Sequence, residues 1–180
     1  WLTCLSANAE VKLPAFFSDG MVMQQQTRAN LWGTATPNAP VKITTSWDKQ
    51  TYKTTADAKG AWKLALSTPS AGGPYTITFD DGKLTEIRDI LMGELWLCSG
   101  QSNMEMPMKG FKNQPVENSN TDVMNSRNPQ LRLFTVKRAS SFTPKTDVVG
   151  TWQEAVPATV REFSATAYYF GRMIQQQLNI

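Results

Sequence analysis

Two hydrophobic rhythms divide the chain, and they change near residue 88. From Val11 to about Arg88 the apolar residues come in short alternating runs rich in Thr. Val41, Ile43, Thr45 and Trp47 fall on one face of an extended segment, and Lys42, Thr44 and Ser46 on the other. Such alternation marks a half-buried strand, because successive side chains of a strand point to opposite faces. Trp62, Leu64 and Leu66 repeat the pattern, as do Tyr75, Ile77 and Phe79. Pro37-Asn38, Lys59-Gly60, Gly72-Gly73-Pro74 and Asp81-Gly82 separate the runs, and Asp-Gly is a strong hairpin signal. Strands at this spacing predict an antiparallel β-sandwich over residues 11–88.

Residues 89–180 follow another pattern. Ile90-Leu91-Met92-Gly93-Glu94-Leu95-Trp96-Leu97-Cys98 is apolar almost throughout, which suits a strand covered on both faces in a parallel sheet. Ser99-Gly100-Gln101-Ser102-Asn103-Met104 comes next, placing small and polar residues where open α/β sheets hold their ligands. Residues 109–130, rich in Asn, Pro and Lys, predict a surface loop containing a short helix from Asn120 to Asn125, and Leu131 to Val136 predicts another strand. From Phe163 the spacing turns helical, with Phe163, Ala167, Phe170, Ile174 and Leu178 along one stripe. Gly171 inside that helix costs about 1 kcal/mol relative to Ala, which points to close packing there. The segment reads as the opening of an α/β domain, with Ile180 falling where such a fold is expected to enter its second parallel strand.

Composition narrows the classes. With 41% hydrophobic and 18% charged residues among 180, the chain is an ordinary globular one. No apolar run approaches the roughly 20 residues of a transmembrane helix, so no membrane span is expected. The net charge of +3 is spread along the chain, and no Lys/Arg cluster interleaved with aromatics suggests a nucleic-acid partner. Residues 1–10, Trp1 to Glu10, read as the tail of a secretory signal. Ala7-Asn8-Ala9 is a small-x-small cleavage pattern, and Leu2, Cys4 and Leu5 lie in the apolar stretch before it. The expected location is therefore the periplasm or the extracellular space. Cleavage after Ala9 would leave Cys98 as the only thiol, excluding an intrachain disulfide and favouring a buried apolar cysteine. No dense Cys/His/Asp/Glu cluster calls for a metal, and no organic cofactor is expected.

The chain contains no histidine. Histidine is the usual general base near neutrality because its unperturbed pKa lies closest to it. A hydrolase built on Ser-His chemistry therefore cannot be complete within these 180 residues.

Ser102 is the candidate nucleophile. A serine just past a buried strand, beside a glycine that permits a sharp turn, can expose its hydroxyl at a sheet's rim. If a short helix starts at Asn103 or Met104, its free N–H groups, with that of Ser102, face the same spot and can stabilise an oxyanion. On residue type alone the plainer alternative is a serine that caps a helix. Glu105 reads as a favourable charge in the first helical turn rather than an acid or base. Met104, Met106 and Met108 read as packing. Trp32, Trp47, Trp62 and Trp96 read as core rather than as sugar-stacking platforms, and Trp152, in a less regular stretch, is left open.

The block from Gly93 to Pro107, GELWLCSGQSNMEMP, closely resembles the nucleophile block of the sialate O-acetylesterase family, carbohydrate esterases of the SGNH type. Leu13 to Gln25, LPAFFSDGMVMQQ, resembles the family's amino-terminal opening. Trp32-Gly33 and Asp57 to Trp62 fit its β-domain, and Phe163 to Arg172 fits the helix before its next catalytic block. The resemblance covers nearly all of the chain past the signal tail, and GQSNM is its most specific part.

The resemblance implies a β-sandwich accessory domain at 11–88 and the amino-terminal part of an SGNH-hydrolase (flavodoxin-like) domain at 89–180. It implies that Ser102 is the nucleophile and that its N–H joins the oxyanion hole, with Gln101 and Asn103 shaping the pocket. The remaining oxyanion donors, the histidine and its carboxylate partner lie further along in the family. The expected substrate is an O-acetylated sugar, sialic acid or a relative, and the expected partner is the remainder of the catalytic domain. A different class also stays open: a carbohydrate-binding or scaffolding β-module in which Ser102 is idle.

Overall fold

The computed structural model describes residues 10–180; residues 1–9, with Cys4 and the expected cleavage site, lie outside the described part. Seven strands come first: β1 (Val22–Gln24), β2 (Arg28–Thr34), β3 (Pro40–Thr45), β4 (Thr51–Thr55), β5 (Ala61–Ser67), β6 (Gly72–Asp80) and β7 (Leu84–Gly93). A longer irregular stretch leads to α1 (Ser102–Glu105), α2 (Ser119–Met124), β8 (Asn128–Phe134), β9 (Trp152–Ala155), α3 (Pro157–Val160) and α4 (Ala165–Leu178). The described chain is mostly β.

Alternation builds the first unit as the sequence predicts. In β3, Val41, Ile43 and Thr45 are buried while Lys42 and Thr44 are exposed. Ile43 stands opposite Phe79 of β6 on one side and Tyr52 of β4 on the other. The large sheet runs β1-β7-β6-β3-β4, and β2 and β5 pair as a separate two-stranded sheet. Leu31, Trp62 and Leu66 from the smaller sheet share one core with Val41, Ile43, Ile77, Phe79 and Ile87 from the larger. The expected all-antiparallel pairing needs one correction: β1 pairs with β7 in parallel, Val22 opposite Leu91 and Gln24 opposite Gly93.

Three local expectations also change. Trp47 does not continue β3; the strand ends at Thr45 and Trp47 sits in the following turn, its ring edge-on to Tyr75 at 5.8 Å. Asp48 makes that turn by accepting hydrogen bonds from Gln50 N at 3.0 Å and Tyr52 Oη at 2.8 Å. Gly72-Gly73-Pro74 does not break the chain but opens β6, where the pairing with β7 is irregular between Gly72 and Tyr75. The change of regime expected near residue 88 falls inside β7, whose Ile90 and Met92 belong to the first core.

The apolar run past Gly93 is not a buried parallel strand. Residues 94–101 carry no regular structure, and Trp96 and Leu97 are 53% and 92% exposed. A strand forms only where neighbouring backbone is available to pair with, and no described strand takes that position. The second core is small: Met108, Leu133, Ala155, Val160, Ala165 and Tyr168. The Leu131–Val136 strand appears as β8, paired antiparallel to β9. Of the helical stripe, Ala167 is buried, Phe170 and Ile174 are half-buried, and Leu178 is exposed.

The two units are joined by polar and aromatic contacts. Arg132, its side chain 5% exposed, donates from Nη2 to Asp89 Oδ1 at 3.1 Å and from Nε to Pro129 O at 2.9 Å. Trp152 packs on Phe16 and Phe134, at centroid distances of 5.3 and 5.1 Å, and donates from Nε1 to Phe16 O at 2.8 Å. Its place is thus between the units. Trp32 Nε1 donates to Thr146 O at 2.9 Å, and Ala15 N to Asp147 Oδ1 at 2.8 Å, tying the 135–151 segment to the β-rich unit.

Candidate active site

Ser102 is the first residue of α1 and is exposed. Gln101 holds the N-cap position and makes no side-chain cap, so Ser102 is not the capping serine that residue type alone would suggest. The intrahelical bonds start with Met104 N and Glu105 N, both donating to Gln101 O, at 2.9 and 3.2 Å. The N–H groups of Ser102 and Asn103 precede that ladder and point outward at the helix start. Gln101 and Asn103 flank the serine and are also exposed. Gly100 has no positive φ; its value lies in space, since a Cβ there would come within 3.1 Å of Met104 Cβ.

One set of contacts holds this turn, and another holds the strand exit that leads toward it. On its carboxyl side, residues 106–109 run beside 161–165. Met108 N donates to Phe163 O at 2.9 Å and Ala165 N to Met106 O at 2.8 Å. Thr166 Oγ1 donates to Asn103 O at 3.1 Å, and Ser164 Oγ reaches Met104 Sδ at 3.5 Å. Ser164 also caps α4 by accepting from Ala167 N. On the amino side, the side chains of Gln24 and Gln25 grip Glu94 at the end of β7. Gln24 Nε2 donates to Glu94 Oε2 at 3.1 Å, and Gln25 Nε2 to Glu94 Oε1 at 2.9 Å. The amide donors of Gln25 and Gln24 hold the Glu94 carboxyl below its ordinary range.

Glu105 is paired with Arg138, whose hydrogen bond keeps the carboxylate ionised below its usual range. This leaves it as a fixed charge in the first turn, not a proton donor. Met108 is buried in the second core, while Met104 and Met106 are half-buried. Cys98 is exposed rather than buried, because the strand expected to enclose it is not formed; partial desolvation still raises its thiol above the ordinary value. Among the tryptophans, Trp62 is core. Trp32 and Trp47 pack half-buried on Phe17 and Tyr75. Trp96 departs from the core expectation: its exposed ring meets Phe170 edge-on at 5.1 Å.

A groove of about 1300 Å³ opens beside the turn, lined by Leu95, Trp96, Leu97, Leu131, Phe170 and Ile174 among others and reaching Met104 and Glu105. Among the described residues no group of three His, Cys, Asp or Glu side chains converges as a metal site, and no helix is long and apolar enough to cross a membrane. Sequence reasoning missed Glu94 and its glutamine partners, as well as Thr166.

No family model matches the chain. A solved carbohydrate acetylesterase from Xanthomonas citri superposes with a TM-score of 0.87 at 32% identity, covering 95% of this chain and 38% of that one. Sialate O-acetylesterases of mouse and human are each 28% identical over 96% of this chain. Over nearly its whole length the chain is thus similar in sequence and fold to part of these carbohydrate esterases. More narrowly, these likenesses support the sialate O-acetylesterase family, of which this chain matches a partial segment. It spans 35% and 36% of the length of the mouse and human proteins.

Proposed function

We propose that Ser102 is the nucleophile of a secreted esterase that removes O-acetyl groups from sugars, sialic acid or a related acetylated sugar. One observation carries the reading: an exposed serine stands at the first position of a short helix whose turn is tied to residues 163–166. A general base from outside these 180 residues takes the Ser102 proton as Oγ attacks the acetyl carbonyl carbon. The carbonyl electrons move onto oxygen, where N–H donors including that of Ser102 stabilise the tetrahedral oxyanion; removing one such donor typically costs about a hundred- to a thousandfold in rate. Gln101 and Asn103 flank the site and shape it. The intermediate collapses, the C–O bond to the sugar breaks, and the sugar oxygen takes the proton back. Water, activated by the same base, then hydrolyses the acetyl-enzyme.

The remainder of the catalytic domain supplies the base and packs over the groove, giving the 94–98 segment the sheet neighbours it lacks here. The unit boundary, the SGNH character of the second unit and secretion belong to the same reading. The test is turnover of a chromogenic acetate ester and of an O-acetylated sialic acid by the full-length chain, with and without Ser102→Ala. Loss of turnover in the variant is expected. Undiminished turnover in Ser102→Ala sinks the nucleophile, and sugar binding without any turnover points to a binding module instead.

A further inference from the structure

We propose that Gln24 and Gln25 of the β-rich unit are positioning residues for the nucleophile, acting through Glu94. This rests on the reading of Ser102 as nucleophile and adds to it a function for the first unit.

The parallel pairing of β1 with β7 ends at Gln24 and Gly93, with one further backbone bond from Gln25 N to Gly93 O at 2.9 Å. Where the backbone ladder stops, side chains continue it. Both oxygens of Glu94 accept an amide hydrogen bond, from Gln24 and Gln25. The other ends of those amides are also engaged. Leu95 N donates to Gln24 Oε1 at 2.9 Å, and Ala71 N donates to Gln25 Oε1 at 2.8 Å. Each amide therefore has one permitted orientation, since a flip would set an N–H₂ against a backbone N–H. This network, in which both amide oxygens and both carboxylate oxygens are engaged, ties Glu94 and Leu95 to the large sheet.

Beyond Leu95 only six residues, Trp96 to Gln101, separate this clamp from Ser102. The far side of the turn is held by Thr166 and Ser164 of the second unit. Ser102 thus stands between one anchor from each unit, and slackening the Glu94 anchor lets the segment before it drift. A nucleophile displaced by about 1 Å can cost on the order of 100-fold in rate, without the substrate's own contacts changing.

The chemistry of the clamp dictates the test. A carboxylate accepts only, whereas Glu94→Gln must turn an N–H₂ toward one of two fixed amide donors. Combining Gln24→Glu with Glu94→Gln restores every bond. The carboxylate introduced at position 24 accepts from Leu95 N and from the amide introduced at position 94, and the oxygen of that new amide accepts from Gln25. In the full-length enzyme, Glu94→Gln is expected to lower kcat for a chromogenic acetate ester about 10- to 100-fold with KM unchanged. The exchange variant should recover most of that loss. Wild-type kcat in Glu94→Gln overturns the proposal, as does equal impairment of the single and exchange variants. If Glu94→Gln fails to fold, Gln25→Met, which removes only part of the network, must lower kcat without raising KM, and an unchanged kcat there overturns the proposal. Ser102→Ala is run in parallel: if it keeps turnover, the nucleophile reading is what failed, whereas an inactive Ser102→Ala beside a fully active Glu94→Gln removes the clamp alone.

Discussion

Arg132 offers a direct measure of how firmly the two units are joined. Its side chain is only 5% exposed, against 44% for Asp89. Arg132→Met keeps the apolar stem and removes both bonds to Asp89, the bond to Pro129 O, and the longer approaches to Gly20 O at 3.5 Å and Glu154 Oε1 at 3.7 Å. Breaking a buried ion pair costs roughly 3–5 kcal/mol. Asp89 retains access to water and recovers part of its solvation, so the low end applies, about 3 kcal/mol. For a chain of this size that corresponds to a fall in Tm of about 6–12 °C. Urea denaturation followed by tryptophan fluorescence reads the loss directly. Asp89→Asn supplies the partner for a double-mutant cycle, and asparagine tolerates the left-handed backbone at that position, φ 56°. The coupling between the two should be about 1.5–3 kcal/mol, the range for hydrogen bonds to charged groups. A loss below about 1 kcal/mol, or a coupling near zero, refutes the view that this pair joins the units.

Gly33→Ala should destabilise by about 1–3 kcal/mol in the same assay, because its Cβ would lie 2.5 Å from Lys12 O and 2.9 Å from Trp62 Cζ2; a neutral outcome would show that the β2–β5 sheet yields there. Gly171→Ala should stabilise by up to about 1 kcal/mol, since its Cβ would meet Leu131 Cδ1 at an ordinary 3.5 Å; a loss of stability would mean that α4 needs the glycine. Burial, then the bond to Asp122, pushes the Tyr169 hydroxyl from 10.0 up to about 12. This stabilisation is complete below pH 10 and disappears as pH rises toward 12, so Tyr169→Phe should flatten stability across that window. Asp122 runs the other way: the bond from Arg172, then that from Tyr169, lowers its pKa. Its contribution is present above the ordinary carboxylate value and fades as acid titrates the folded form, and Asp122→Asn should remove that acid-side slope in a urea titration series. The 180-residue chain alone, having no histidine, should hydrolyse acetate esters at background rate, and robust Ser102-dependent turnover would contradict this.

What could be read from sequence was what depends on near neighbours along the chain. The alternation of Val41, Ile43 and Thr45 survives intact in β3, because period-two patterning is local. The short helix expected at Asn120 to Asn125 appears one residue earlier, at Ser119–Met124. The run from Ile90 to Cys98 was harder, since apolar residues declare a wish for burial without naming a partner. Its first part joined the β-rich core and its second part stands exposed beside the groove. Trp47 and the Gly72-Gly73-Pro74 triplet misled for a related reason: a turn can interrupt a perfect alternation, and an irregular strand can begin on turn-forming residues. The short helix beside Ser102 was legible from its motif, although it starts at Ser102 itself rather than at Asn103 or Met104. The glutamine clamp was not, because Gln24 and Glu94 lie 70 residues apart and meet only through the parallel register of β1 and β7.

That register changes how the β-rich unit should be understood. The strand that ends at Gly93 is the same strand that packs Ile87, Ile90 and Met92 into the first core. Any shift of its end moves Glu94, and a shift of Glu94 is passed along an unsupported segment toward the serine. On the proposal above, the exit of the sheet sets where the segment leading to the candidate active site begins. An appended module connected by a loose linker would show a different layout, with few polar contacts across the join and no side-chain network at the strand's exit. Here, the exit of β7 carries four side-chain hydrogen bonds in which every amide and carboxylate oxygen is engaged. A network in which each oxygen already has a partner resists displacement, since a slip exchanges a made hydrogen bond for an unmade one. The first unit on this view sets the position at which the hydroxyl is presented, and Gln24 substitutions should reach kcat through Glu94.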